Sequence, residues 1–167
     1  MSRVGPELLG RLIDSYAAAL VLFARQWCDA PEDVVQEAFL KLVAQQQIPD
    51  NPVSWLYRVV RNGAVSALRS SRRRRRHEAA AARNPGWFMS AGGTGLDVED
   101  ATAALKALPL DQRETIVAHL WGGLTFEQIA ELTGCSSSTA HRRYVAGLTA
   151  LRERLGVPCP KRSITRN

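Results

Sequence analysis

Two groups of side chains carry the chemistry this sequence can do. One is the run Arg72-Arg73-Arg74-Arg75-Arg76, approached through Arg58, Arg61 and Arg69. Guanidinium groups packed so densely repel one another and need counterions, which a phosphate backbone supplies. The other is the stretch 137–143, with Ser137, Ser138, Thr139, His141, Arg142 and Arg143. Arginine can bond two acceptors of a guanine at once, and a hydroxyl can serve a base edge or a phosphate. Catalytic chemistry has no comparable foothold. No nucleophile-base arrangement stands out, and no CxxC pair exists. His77, His119 and His141 lie too far apart in sequence for a metal-ligand motif, and His77-Glu78 lacks the second histidine of a zinc-protease helix. The glycines at 92, 93 and 95 are not followed by Lys-Ser/Thr, so they do not make a phosphate loop. The expectation is a non-enzyme with no catalytic residue, no metal and no cofactor.

Charge along the chain sharpens that reading. The net charge is +6 over 167 residues, but residues 1–70 balance to zero. Residues 71–83 carry +5, residues 84–134 carry −5, and residues 135–167 carry +6. Two basic zones flanking an acidic middle fit a polyanion touched in two places. Cys28, Cys135 and Cys159 are an odd, widely spaced set and do not form a disulfide framework. The longest apolar run, residues 17–24, is far short of the about 18–20 residues of a membrane span. The N-terminus lacks a basic segment followed by an apolar run and a cleavage site. A cytoplasmic protein without membrane insertion is expected.

The elements that must position these groups are all helical. Leu9, Leu12, Ile13, Tyr16, Leu20, Phe23 and Trp27 recur at three- and four-residue steps, which predicts a first helix from about residue 6. Pro31 with Glu32 and Asp33 starts a second, running to about Ala44. After a loop at 45–54 that contains Pro49 and Pro52, a third helix is predicted over roughly 53–71. On it Leu56, Val59, Val60, Gly63, Ala64, Ala67 and Leu68 fill one half of the wheel. Arg58, Arg61 and Arg69 fall within about 80° of each other on the opposite half. Further helices are predicted at 98–108 and 110–121, ended by Pro109 and by Gly122-Gly123.

The stretch 124–155 has a more specific pattern. Thr125 and Gln128 have capping-box spacing. Ile129, Ala130 and Leu132 make the apolar side of a short helix, and Gly134 stands where a tight turn needs it. Ser136 can cap a longer helix whose inward face is Ala140, Tyr144, Leu148, Leu151 and Leu155. This is the pattern of a helix-turn-helix, whose second helix offers its N-terminal residues to the major groove. No strand periodicity occurs, so the expected fold class is all-α. It comprises two small helical domains joined by a flexible linker: 1–82, a linker at 83–96, the helix-turn-helix domain at 97–156, and a basic tail at 157–167.

Three stretches together resemble one family. APEDVVQEAFLKL at 30–42, WLYRVVRN at 55–62 and ALKALPLDQRE at 104–114 stand in order before the helix-turn-helix. In this the chain resembles the extracytoplasmic-function group of bacterial RNA polymerase sigma factors. The resemblance implies a transcription initiation factor that binds core RNA polymerase and promoter DNA. It implies polymerase contact through Asp33, Gln36, Glu37 and Leu40, and minus-ten contact through Asn51, Arg58, Arg61, Asn62, Arg69, Arg72 and Arg73. It implies minus-thirty-five reading by Ser137, Ser138, Thr139, His141, Arg142 and Arg143, and leaves room for an anti-sigma or other regulatory protein. The sequence departs from the family pattern at Ser66, Thr133, Ala146 and Leu148, and its loop at 45–54 is short and lacks aromatic residues. The alternative is a helix-turn-helix transcriptional regulator that binds DNA without polymerase. It accounts for the C-terminal block but not for the stretch at 32–42.

Overall fold

The computed structural model describes residues 4–77 and 98–156. The expected linker, the basic tail and Cys159 lie outside the described residues. Among those described there are seven α-helices and no strand. They form an N-terminal set, α1 (Pro6–Ala24), α2 (Pro31–Val43) and α3 (Pro52–His77), and a C-terminal set, α4 (Val98–Lys106), α5 (Leu110–Leu120), α6 (Phe126–Thr133) and α7 (Ser137–Arg154).

Helix starts follow local chemistry. α1 and α2 each begin with proline, whose missing N–H is no loss in a first turn. Glu7, and then Glu32 and Asp33, sit where the helix dipole favours negative charge. Before α3 the Asn51 carboxamide oxygen accepts the Ser54 backbone N–H at 3.0 Å, which caps the helix. Two boundaries differ from expectation. α1 ends at Ala24, yet Trp27, beyond its last turn, is still buried. α3 runs on through the arginines to His77 rather than ending near Ser71. Arginine is a good helix former, no glycine or proline interrupts residues 64–77, and the exposed side chains at 72–76 spread their charge into solvent.

The N-terminal core is built from Leu20, Phe23, Leu42, Leu56, Tyr57 and Val60, none of which retains measurable exposure. Each such large apolar side chain contributes about 1.5–3 kcal/mol by leaving water. Phe23 packs edge-on against both Trp27 and Tyr57, with ring centroids 5.0 Å apart in each case.

In the C-terminal set the turn chemistry is as the sequence predicts. The Thr125 hydroxyl accepts the Gln128 N–H at 3.2 Å while the Gln128 side chain accepts the Thr125 N–H at 2.8 Å. Gly134 ends α6 at φ 70°, a conformation that disfavours any residue with a Cβ. Ser136 caps α7 by accepting the Thr139 N–H at 3.2 Å. Of the predicted inward face of α7, Ala140 is fully buried and Tyr144, Leu148, Leu151 and Leu155 are partly buried. Gly147, absent from that prediction, is buried against α5.

The two helical sets do not stand apart. α1 packs on α5 and α3 on α6. Val117, Ala118, Leu124 and Ile129 belong to the same buried cluster as Leu20, Phe23 and Val60.

Candidate nucleic-acid interface

The helix-turn-helix presents four of its six expected reading residues together. Ser137, Ser138, His141 and Arg142 line an open groove of about 380 Å³ with Phe126 and Glu127. The His141 ring meets the edge of Phe126 at 5.1 Å. Phe126 in turn stacks on His119 at 4.4 Å, and the His119 Nδ1–H donates to the Leu124 carbonyl at 2.7 Å. This aromatic chain ties the first residue of α6 to α5 and sets the floor beside the start of α7. Thr139 faces the cap, where its hydroxyl lies 2.9 Å from Ser136 Oγ and accepts from Arg142 Nη2 at 3.2 Å. That bond holds the Arg142 guanidinium near the N-terminal end of α7. Arg143 does not join this groove. One residue further is about 100° around the helix, and its Nε pairs with Asp111 of α5 at 3.1 Å.

α3 divides its arginines in the same way. Arg69, Arg72, Arg73 and Arg76 line an open groove of about 490 Å³ with Ser66. Asn62 is exposed on the same helix, whereas Asn51 is engaged as the α3 cap. Arg58 and Arg61, expected to face outward, are met by carboxylates of the C-terminal set. Arg58 lies 3.8 Å from Glu131 of α6, with both side chains exposed. Arg61 forms a two-point pair with Glu114 of α5, and its guanidinium sits 5.9 Å from the centroid of the Trp27 ring. Glu114 is buried, and burial pushes its carboxyl above the usual carboxylate range despite the opposing pull of Arg61 and Arg143.

Sequence reasoning assigned no site role to Glu114 or Tyr57, and took Gly122 only as part of a helix stop. Tyr57 is fully buried with its hydroxyl unpartnered, and a Cβ on Gly122 would collide with that hydroxyl. Burial also drives the phenol well above its ordinary range. The sequence cue was the four-residue spacing of Glu114 and Ala118 on α5, continued by Gly122 in the turn just beyond it.

A separate surface lies on α2. Asp33, Gln36, Glu37 and Leu40 are all exposed at helical spacing. Leu40 is 63% exposed and Val43 43%, an apolar strip beside charged neighbours. Glu37 pairs with Lys41 at 2.8 Å along the helix. Among the described residues no cluster of His, Cys, Asp and Glu is placed to hold a metal, and no helix is long and apolar enough to cross a membrane.

Comparison with known proteins matches residues 12–74 to the family model for Sigma-70 region 2 and residues 99–151 to that for Sigma-70 region 4. The chain is 32% identical to a probable RNA polymerase sigma factor, RfaY, of Xanthomonas campestris, over 89% of this chain and 40% of that protein. It is 33% identical to the ECF RNA polymerase sigma factor EcfG of Rhodopseudomonas palustris, over 69% of this chain and 65% of that one. It thus spans less than two thirds of the length of either relative. A solved structure of the sigma factor RpoE from Bartonella quintana, in complex with the anti-sigma factor NepR, superposes with a TM-score of 0.76. That match has 27% identity and covers 93% of this chain and all of the other.

Proposed function

Because the chain belongs to the sigma-70 family, in its extracytoplasmic-function group, we propose that it binds core RNA polymerase and directs promoter-specific transcription initiation. The observation that carries this reading is the presence of three separate surfaces on one chain: the α2 strip, the arginine groove of α3 and the reading groove of α7. A regulator acting on DNA alone has no use for the first. The N-terminal set, with the residues up to 82, is the polymerase-binding and minus-ten unit. The C-terminal set, residues 97–156, is the minus-thirty-five unit.

Each surface has a physical task. Leu40 and Val43 supply apolar area to a polymerase contact, while Asp33, Gln36 and Glu37 orient it. Taking a promoter base out of the stack costs a few kcal/mol. Phosphate contacts from Arg69, Arg72 and Arg73, with Arg58, Arg61 and Asn62, offset that cost and make binding salt-dependent. At α7, Arg142 and His141 reach base edges, and Ser137 and Ser138 hold a phosphate at the helix N-terminus. Thr139 positions Arg142. The protein acts in the cytoplasm and performs no bond chemistry itself, which is left to the polymerase. An anti-sigma protein is a fitting regulatory partner, as the RpoE–NepR complex illustrates for its own sigma factor.

In vitro transcription with bacterial core polymerase, the purified protein and a library of promoter fragments tests this reading. Protein-dependent transcripts sharing a two-part promoter motif are expected. DNA binding without transcripts, together with no affinity for core polymerase, would overturn it in favour of a stand-alone regulator.

A further inference from the structure

The groove at the start of α7 contains one polar residue outside the expected contact set. Glu127, the second residue of α6, lines it together with Phe126, Ser137, Ser138, His141 and Arg142, and is the only anion of the six. Its side chain is exposed and forms no ion pair among the described residues. Its place relative to Arg142 is fixed. The Thr125–Gln128 capping box holds the first turn of α6. Phe126 stacks on His119 of α5 and meets the His141 ring edge-on, which ties that turn to α7. On the α7 side the Thr139 hydroxyl holds the Arg142 guanidinium at 3.2 Å. A carboxylate and a guanidinium thus line one groove without pairing with each other.

An acid in the first turn of a helix suits the dipole. That accounts for a carboxylate on α6 but not for one left unpaired in a groove that meets DNA, where phosphates repel it. It fits there only where a hydrogen-bond donor comes to it. In the major groove the donors are cytosine N4 and adenine N6, whereas guanine and thymine turn only acceptors outward. Adenine also presents its N7 acceptor beside N6, while cytosine presents its donor alone. Arg142 has the opposite requirement, which guanine with its two acceptors meets best. We infer that Glu127 determines specificity in the minus-thirty-five contact: its carboxylate accepts from the N4 amine of a cytosine at the base pair next to the guanine that Arg142 takes. The inference rests on the proposed minus-thirty-five role of α7 and adds a second, acidic reader carried by α6.

The carboxylate acts chiefly by exclusion. At its base pair a guanine or thymine sets an acceptor against it, and a charge left unpaired at an interface costs more than a good contact gains. The same charge lowers affinity for every sequence through phosphate repulsion, so discrimination is raised at the expense of binding strength.

The test assembles the full-length protein with bacterial core polymerase and selects from a duplex promoter library randomised through the minus-thirty-five element, with the bound fragments sequenced. Wild type should favour cytosine at one position about tenfold over guanine or thymine. Glu127→Ala should flatten that position, and Glu127→Gln should move its preference to adenine, whose N6 and N7 suit a carboxamide. Both variants should bind all fragments more tightly and keep the neighbouring guanine preference, which Arg142→Ala removes. Glu127 is exposed, so neither change disturbs the fold. If both variants keep the wild-type preference at every position, with or without a uniform gain in affinity, the acid serves the helix start alone and the inference is overturned. In that case a surviving guanine preference leaves α7 as the reader. A wild-type assembly with no base preference at any position would overturn the role of α7 itself, and that of Glu127 with it. Should wild type fail to assemble with polymerase, the initiation reading falls; the same library is then bound by the full-length protein alone, and the same outcomes decide.

Discussion

Ile116 Cδ1 stands 2.6 Å from the place where a Cβ on residue 147 would be. The glycine at 147 is thus what lets α7 lie close against α5, and with it the groove at the start of α7. Gly147→Ala would gain up to about 1 kcal/mol in helix propensity. Forcing a methyl into a filled site costs about 1–3 kcal/mol, and Gln112 Cβ at 3.2 Å limits any retreat. The expected result is a lower melting temperature for Gly147→Ala, partly restored by adding Ile116→Val, which removes the Cδ1 atom. A variant as stable as wild type would show that α7 is not seated by this contact.

Glu114 has a pH signature. Its carboxyl is raised above its ordinary value of 4.5 by burial, with Asp111 adding to the rise and Arg61 and Arg143 opposing it. The folded protein therefore holds this proton more tightly than the unfolded chain does. The destabilising contribution of the charged form is fully present above the raised folded value and disappears as pH falls towards and below 4.5. Glu114→Gln, neutral at all pH, is expected to be more thermostable than wild type at pH 7. Its advantage should shrink as the pH approaches 4.5, in melting curves of both proteins recorded across that range.

Arg142 and Arg143 are adjacent in sequence but not equivalent. Arg142 lies in the reading groove and Arg143 pairs with Asp111. Arg142→Ala should lose about 1–3 kcal/mol of discrimination at one minus-thirty-five position, the worth of a good bidentate base contact. Arg143→Ala should weaken binding without changing the preferred sequence. Competition binding with a promoter library separates the two. Equal loss of sequence preference in both variants would mean that α7 turns on DNA.

The α2 strip predicts a polymerase defect without a folding defect. Leu40→Asp and the double change Gln36→Ala with Glu37→Ala alter exposed positions, so melting temperatures should stay close to wild type, within about 0.5 kcal/mol. Affinity for core polymerase should fall about tenfold or more, as for loss of a central interface residue of about 2 kcal/mol. A fluorescence titration with labelled protein measures it, and unchanged affinity would remove α2 from the polymerase contact.

The helices, their starts and the helix-turn-helix were legible because each depends on neighbours within four residues. Proline at the first position of α1 and α2, the Thr125–Gln128 box, Gly134 at φ 70° and the Ser136 cap are local devices. α3 runs past its expected end near residue 71 for a local reason too, since the helix propensity of arginine carries it on to His77.

What the sequence determined by itself is therefore the set of elements and the chemical character of their faces: an arginine face on α3, a polar and basic face at the start of α7, and Asp33, Gln36, Glu37 and Leu40 at helical spacing on α2. Only the tertiary structure decided which of those faces stay open. Helical periodicity places Arg61 opposite the core of its own three helices, and outward there means solvent or ligand. Glu114 is 53 residues away, and nothing in the spacing of either residue encodes their meeting. It follows from how α5 seats against α1 and α6 against α3, through Tyr57 over Gly122 and the apolar residues around them. Such contacts depend on the combined shape of two distant surfaces, whereas a cap or a turn depends on one.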